Sequence, residues 1–201
     1  MSSSLSSAVK ILIRDLVDLQ VRFAFVGALA IGARGRTRQT IDIDIAVSLS
    51  SNDQTQELID RLIIKGYGVN NLYKDGNRVV LARLFSSNEE SSLVEIDILF
   101  NLCGIESEVV DSAEILEVWP MLHAPIASMP ALLAMKARCQ ELPERIQDKA
   151  DLVNLLIPFS TEKEIQEARR LIKLIEERGF NEGRDLLTKF DDLVNSATLN
   201  K

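Results

Sequence analysis

The stretch RTRQTIDIDIAV, Arg36 to Val47, puts Ile41, Ile43 and Ile45 on one side of an extended chain and Asp42, Asp44 and Ala46 on the other. The alternation predicts a strand over residues 41–48 with one apolar face and one acidic face. Carboxylates two residues apart on a strand stand about 6.6 Å apart. On a wet face their repulsion stays below about 1 kcal/mol. On a partly enclosed face, at an effective dielectric of about 20, it rises to about 3 kcal/mol. Such a face needs a positive group, from another part of the chain or from solution.

The flanking sequence supplies neighbours for this strand. RFAFVG, residues 22–27, reads as a short buried strand, and ALAIGAR after it has helical composition, so the chain turns from strand to helix at Gly27. Ser51 or Asn52 is positioned to cap a helix that runs through Ile64 and stops at Gly66. Residues 66–85 read as a hairpin turning at residues 74–77, LysAspGlyAsn. SSLVEIDILF, residues 91–100, repeats the acidic-strand pattern: Glu95 and Asp97 share one face, and Val94, Ile96, Ile98 and Phe100 take the other. Taken alone, either strand is ordinary, because outer strand positions are often acidic.

Residues 4–19 form an amphipathic stripe of Leu5, Val9, Leu12, Leu16 and Leu19. Beyond Pro120 the pattern turns helical. Helices are predicted over 128–140, from about Pro143 to before Pro158, from a Thr161–Glu164 capping box to Gly179, and over about 182–195. The expected organisation is an α/β core over residues 1–120, with the N-terminal helix, and a helical subdomain over residues 121–201. His123 and Trp119 read as structural and core residues.

Composition narrows the function classes. The 201 residues are 46% hydrophobic and 26% charged, an ordinary globular balance, and no apolar run approaches the about 20 residues of a membrane span. The N-terminus lacks the layout of a secretory leader. Cys103 and Cys139 are too few for a disulfide framework, so reduced thiols and a cytoplasmic location are expected. A single histidine excludes histidine-rich metal sites and leaves oxygen ligands, which suit Mg²⁺ or Mn²⁺. A net charge of −7 argues against broad nucleic-acid binding, although Arg34, Arg36 and Arg38 offer a local basic patch.

Gly27, Ala28, Arg38, Thr40, Asp42, Asp44 and Asp97, in that order, resemble the nucleotidyltransferase superfamily that shares a fold with DNA polymerase β. The flanking residues look most like its AbiEii-type branch, toxin-like nucleotidyltransferases of abortive-infection and toxin–antitoxin systems. The run LLAMKARCQELPERIQDKADLVNLL, with Lys136, Arg145, Asp148, Lys149 and Asp151, resembles that branch's helical segment. The resemblance covers roughly residues 20–157.

It implies a small mixed β-sheet flanked by helices, with a C-terminal helical subdomain. It also implies metal-dependent transfer of a nucleoside monophosphate from a nucleoside triphosphate to an acceptor hydroxyl on RNA or tRNA, a protein or a small molecule. Asp42 and Asp44 would hold a nucleotide-bound metal. Asp97 would complete a second metal site and take the acceptor's proton; Glu95 ranks below it. Two Mg²⁺ or Mn²⁺ ions would then be the positive charge the acidic strands require. Gly27 and Ala28 would present backbone N–H groups to phosphate. Ala28 stands where the family carries glycine or serine and forgoes a hydroxyl contact. Arg38, Thr40 and Lys136 complete the expected nucleotide contacts. Asp148 and Asp151 are expected to pair with Arg145 and Lys149, or to support Lys136. A cognate antitoxin is an expected partner, and a membrane is not. The alternative is a catalytically degenerate nucleotidyltransferase fold acting as a binding or antitoxin-like protein; a metal phosphohydrolase is a third, weaker reading.

Overall fold

The structure is a computed structural model that describes residues 3–36, 40–86, 94–139 and 146–199. The chain divides into two compact units. One comprises Met1–Leu102 and Glu106–Ala127, the other Cys103–Ile105 and Ser128–Lys201.

In the first unit the described elements run α1 (Ser3–Asp18), β1 (Phe23–Phe25), α2 (Gly27–Ala33), β2 (Ile43–Val47), α3 (Asn52–Ile64), β3 (Tyr67–Asp75), β4 (Arg78–Ser86), β5 (Glu95–Leu99), α4 (Glu106–Asp111), β6 (Glu114–Trp119) and β7 (Leu122–Ile126). The described strands form one mixed sheet in the order β3-β4-β5-β2-β1-β7-β6. β2 runs parallel to β5 and antiparallel to β1, and β1 runs parallel to β7. The centre of the sheet is dry: Phe25, Ile43, Ile45, Ile96 and Ile98 are fully buried. Each such side chain stabilises by about 1.5–3 kcal/mol relative to exposure. A one-residue slip would send these isoleucines to the wet face, so the register is strongly specified.

The helices form where capping and periodicity place them. Ser51 accepts a hydrogen bond from the Gln54 N–H and opens α3, which packs on β3 and β4. Along α1, Val9, Leu12 and Leu16 are fully buried. Asp15 of α1 is buried as well; it accepts from the Tyr67 hydroxyl at 3.0 Å and pairs with Arg14 at 3.0 Å and Lys65 at 3.3 Å.

The second unit contains α5 (Met129–Cys139), α6 (Ile146–Asp151), α7 (Glu162–Glu177) and α8 (Leu186–Leu199). Between α6 and α7 come a wide i→i+5 turn over Leu152–Leu156 and a tight turn over Ile157–Phe159. Both arms of the Thr161–Glu164 capping box are present at the start of α7. Ile165, Ala168, Leu171, Ile172 and Ile175 of α7 are buried together with Leu132, Leu133, Leu186 and Phe190. Gly104 belongs to this unit because it lies under the Phe180 ring, where any Cβ would collide.

Three expectations change. Residues 41 and 42 precede the strand rather than belong to it, and Ile41 is 88% exposed. Residues 122–126 form a strand, although the pattern beyond Pro120 predicts helix throughout. β7 meets β1 at the single pair Phe25↔Ile126, so the missing N–H of Pro125 costs the ladder little. The helix expected up to Pro158 gives way to the wide turn from Leu152. No described helix is long and apolar enough to cross a membrane. Neither Cys103 nor Cys139 takes part in a disulfide among the described residues.

Candidate functional site

The site grows from the turn after β1. Val26 donates its N–H to the Asp44 carbonyl at 2.9 Å, which ties the turn to β2. Gly27 then adopts φ +62°, and a Cβ there would overlap the Asp44 carboxylate. Glycine is required twice over, by the left-handed backbone and by the acid pressed against it. The first-turn amides of α2 lack i−4 partners by helix geometry, and Val26 at the N-cap contributes no side-chain acceptor. Ala28 is buried in this turn.

Asp42 stands just before β2. Its carboxylate accepts from the Thr40 hydroxyl, which also lies 3.1 Å from the Asp42 carbonyl. The Asp42 N–H points back to the Thr40 oxygen at 3.4 Å. Thr40 thus orients Asp42. Arg38 lies outside the described residues. A cavity of about 260 Å³ opens beside Ala28 and Thr40, with Leu5, Leu29, Val118 and Trp119 in its wall; Trp119 is a half-buried lining residue.

Asp44 pairs with Asp97 in the parallel β2–β5 register, and Asp97 pairs with Arg83 in the antiparallel β5–β4 register. The three side chains form a row across adjacent strands. Arg83 donates to both oxygens of Asp97, at 2.8 Å each, and sits 3.2 Å from Glu95. Its guanidinium also lies 5.8 Å from the centre of the Tyr73 ring. The Asp97 hydrogen bonds, followed by the charges of Asp97 and Glu95, push the Arg83 pKa still higher than its ordinary value, against the opposing effect of burial. A positive charge on the acidic face therefore comes from the chain itself. Sequence reasoning missed Arg83, although the LeuAlaArgLeuPhe alternation of β4 held the signal: Leu81, Arg83 and Phe85 are half-buried, while Ala82 and Leu84 face the core.

Asp42, Asp44 and Asp97 do not form a bare three-carboxylate cluster. Among the described residues, no three His, Cys, Asp or Glu side chains are grouped to hold a metal ion. Lys136 belongs to the helical unit, where its ammonium is bonded to Asp148 and lies 2.8 Å from Asp151. The three side chains are 10%, 5% and 0% exposed. Asp148 and Asp151 thus hold Lys136, one of the two roles expected for them; Arg145 lies outside the described residues. Arg34 is drawn into the first unit, donating to the Ala127 carbonyl at 2.8 Å and to Glu114 at 2.7 Å, so it adds little to a basic surface patch.

No protein-family model matches the sequence, and no curated protein does. Solved structures do match. An antigenic nucleotidyltransferase-like protein from Paracoccidioides brasiliensis superposes with a TM-score of 0.54 at 15% identity, over 96% of this chain and 93% of that one. The antibiotic-resistance factor ANT(2'')-Ia superposes with a TM-score of 0.50 at 16% identity, over 100% of this chain and 97% of that one. At such identities the likeness is one of fold, and the fold, a mixed sheet with flanking helices, is that of nucleotidyltransferase-like proteins.

Proposed function

We propose that the chain is a nucleotidyltransferase that moves a nucleoside monophosphate from a nucleoside triphosphate to an acceptor hydroxyl, with pyrophosphate leaving. The observation that carries this reading is the Asp44 carboxylate seated against the Gly27 turn, beside Asp42 and the open first turn of α2, on this fold. Because α2 spans only two turns, its individual N–H groups at Gly27 and Ala28, more than a helix dipole, serve the phosphate oxygens. Thr40 orients Asp42, and Asp97 is assigned to the acceptor hydroxyl.

Mg²⁺ or Mn²⁺ suits the hard oxygen donors of Asp42 and Asp44, and when bound such an ion neutralises charge on the phosphates. Lys136 is committed to Asp148 and Asp151, and its place as a phosphate contact rests on the resemblance alone, as does that of Arg38. The AbiEii-type, toxin-like assignment rests on the residues flanking the set from Gly27 to Asp97 and on the run from Lys136 to Asp151. It carries with it an RNA, tRNA, protein or small-molecule acceptor, a neutralising antitoxin partner and a cytoplasmic location.

The test is thermal unfolding with each of the four nucleoside triphosphates, with and without Mg²⁺. A ligand at about 100 times its dissociation constant adds about 2.7 kcal/mol. A Mg²⁺-dependent upward shift is expected for at least one triphosphate, and Asp42→Asn/Asp44→Asn should lose it. That donor, radiolabelled, should join an acceptor and release pyrophosphate, and Asp44→Asn should abolish this transfer. Retained transfer in Asp44→Asn would sink the reading. The second reading, a degenerate scaffold, draws on Ala28 and on the Arg83–Asp97 pair; no shift with any triphosphate would favour it.

A further inference from the structure

The loop between α7 and α8 brings two arginines to one acid. Arg138 of α5 donates its Nε–H to the Phe180 carbonyl at 2.9 Å and an Nη2–H to Glu182 Oε1 at 3.0 Å. Arg184 reaches the other oxygen of Glu182 at 3.4 Å, and its Nε–H bonds the Asn181 carbonyl at 3.1 Å. The Asn181 amide donates in return to the Arg184 carbonyl at 2.6 Å. Glu182 stands at φ +54° and Gly183 at φ +74°, and the left-handed backbone is uncommon for a residue with a side chain. The two arginine side chains are 11% and 17% exposed, whereas that of Glu182 is 57% exposed.

These charges do not balance. Among the described residues, two guanidiniums largely withdrawn from water share one carboxylate, and Nη1 of Arg184 is buried with no acceptor. A buried donor without an acceptor is costly to keep. Asp185 does not make up the difference, because its carboxylate accepts from the Thr188 N–H at the start of α8. Guanidinium forks match phosphate oxygens in pairs. A phosphate monoester brings about 1.5–2 negative charges at pH 7, where Glu182 brings one.

We propose that Arg138 and Arg184 form a phosphate-binding site in the helical unit, which the Glu182 carboxylate occupies until phosphate displaces it. The incoming group is inorganic phosphate or the terminal phosphate of a small molecule. Glu182 is exposed enough to turn out to water, while the bonds from Arg138 to Phe180 and from Arg184 to Asn181 keep both guanidiniums in place. The site is built from the helical unit alone and does not depend on the reading of Asp42, Asp44 and Asp97.

The experiment is a calorimetric titration of the full chain with inorganic phosphate and with ribose 5-phosphate, at constant ionic strength, with backbone amide resonances locating the site. The wild type should bind, with amide shifts over residues 180–184. Glu182→Gln removes the competing carboxylate and should bind several-fold tighter. Arg184→Gln/Glu182→Gln should lose that binding. Arg184→Lys/Glu182→Gln, which keeps the charge without the fork, should bind more weakly than Glu182→Gln. Asp44→Asn should bind phosphate as the wild type does. Circular dichroism checks the fold of each variant; should the Arg184 variants not fold, Glu182→Gln and the amide shifts decide. Tighter binding of ribose 5-phosphate than of inorganic phosphate would assign the site to an organic phosphate, and equal or weaker binding to the free ion. A Glu182→Gln variant that binds no tighter than the wild type would overturn the proposal. So would binding that survives Arg184→Gln, or amide shifts confined to the Gly27 turn.

Discussion

A cation lies between two carboxylates in the helical unit and again on the sheet, and the two arrangements behave differently because of where they sit. In the helical unit Lys136, Asp148 and Asp151 are 10%, 5% and 0% exposed. On the sheet, Arg83, Glu95 and Asp97 are 32%, 40% and 14% exposed. A buried triad cannot exchange partners without stranding a charge in a medium that solvates it poorly. A half-exposed one is screened by water and adds little to stability. The same charges therefore anchor the fold in one place and contribute little to its stability in the other.

Lys136→Met tests this contrast most severely. It removes an ammonium from between two buried carboxylates and should cost about 3–5 kcal/mol in denaturant unfolding. Lys136→Met/Asp148→Asn/Asp151→Asn should recover most of that loss. A cost under about 1 kcal/mol for the single change would show that the triad is not a structural element.

Gly27→Ala comes next, because it forces a side chain into a left-handed turn and against Asp44. Backbone strain alone should cost about 1–3 kcal/mol. Adding Asp44→Ala should relieve the collision but leave the strain, so the double variant should be only partly rescued. Full rescue would mean that the backbone term is negligible.

Asp15 is an intermediate case, a buried acid served by half-exposed and exposed cations and by the Tyr67 hydroxyl. Tyr67→Phe removes one donor from it and should cost about 1–3 kcal/mol. Burial, then the charge and hydrogen bond of Asp15, push the Tyr67 phenol well above its ordinary value. A folded-state pKa raised in this way gives stability that is complete below the unfolded phenol's pKa of about 10 and is lost as pH rises beyond it. Tyr67 should therefore ionise, by its ultraviolet phenolate band, only as the protein unfolds. Arg83→Gln should have the smallest effect, at most about 1 kcal/mol and shrinking with added salt. A loss as large as that of Lys136→Met would erase the contrast between the two triads.

The features legible in the residues alone are those carried by short-range patterns. Ser51 and the Thr161–Glu164 box mark helix starts because a side chain there meets an amide three residues on. The Ile–Asp alternation marks the faces of β2 and β5 because strand periodicity is local. Gly27 marks a turn because few other residues tolerate it. The β6–β7 hairpin is hidden from such patterns: Pro120 and Pro125 read as breakers, and Met121 turns the chain at φ +64° without a glycine to announce it.

Residue types and spacing suffice to place acids on one face of two buried strands, a glycine turn beside them, and helices after them. What neutralises those acids depends on tertiary packing. Arg83 and Asp97 are fourteen positions apart, and their pairing follows from the β4–β5 register, which the buried isoleucines and leucines of the sheet select. Lys136 likewise reads from sequence as a surface or phosphate-binding lysine, until the packing of α5 with α6 brings Asp148 and Asp151 to its ammonium. Charge is written in the chain, but a charge's partner is chosen by burial and register, which no short stretch contains.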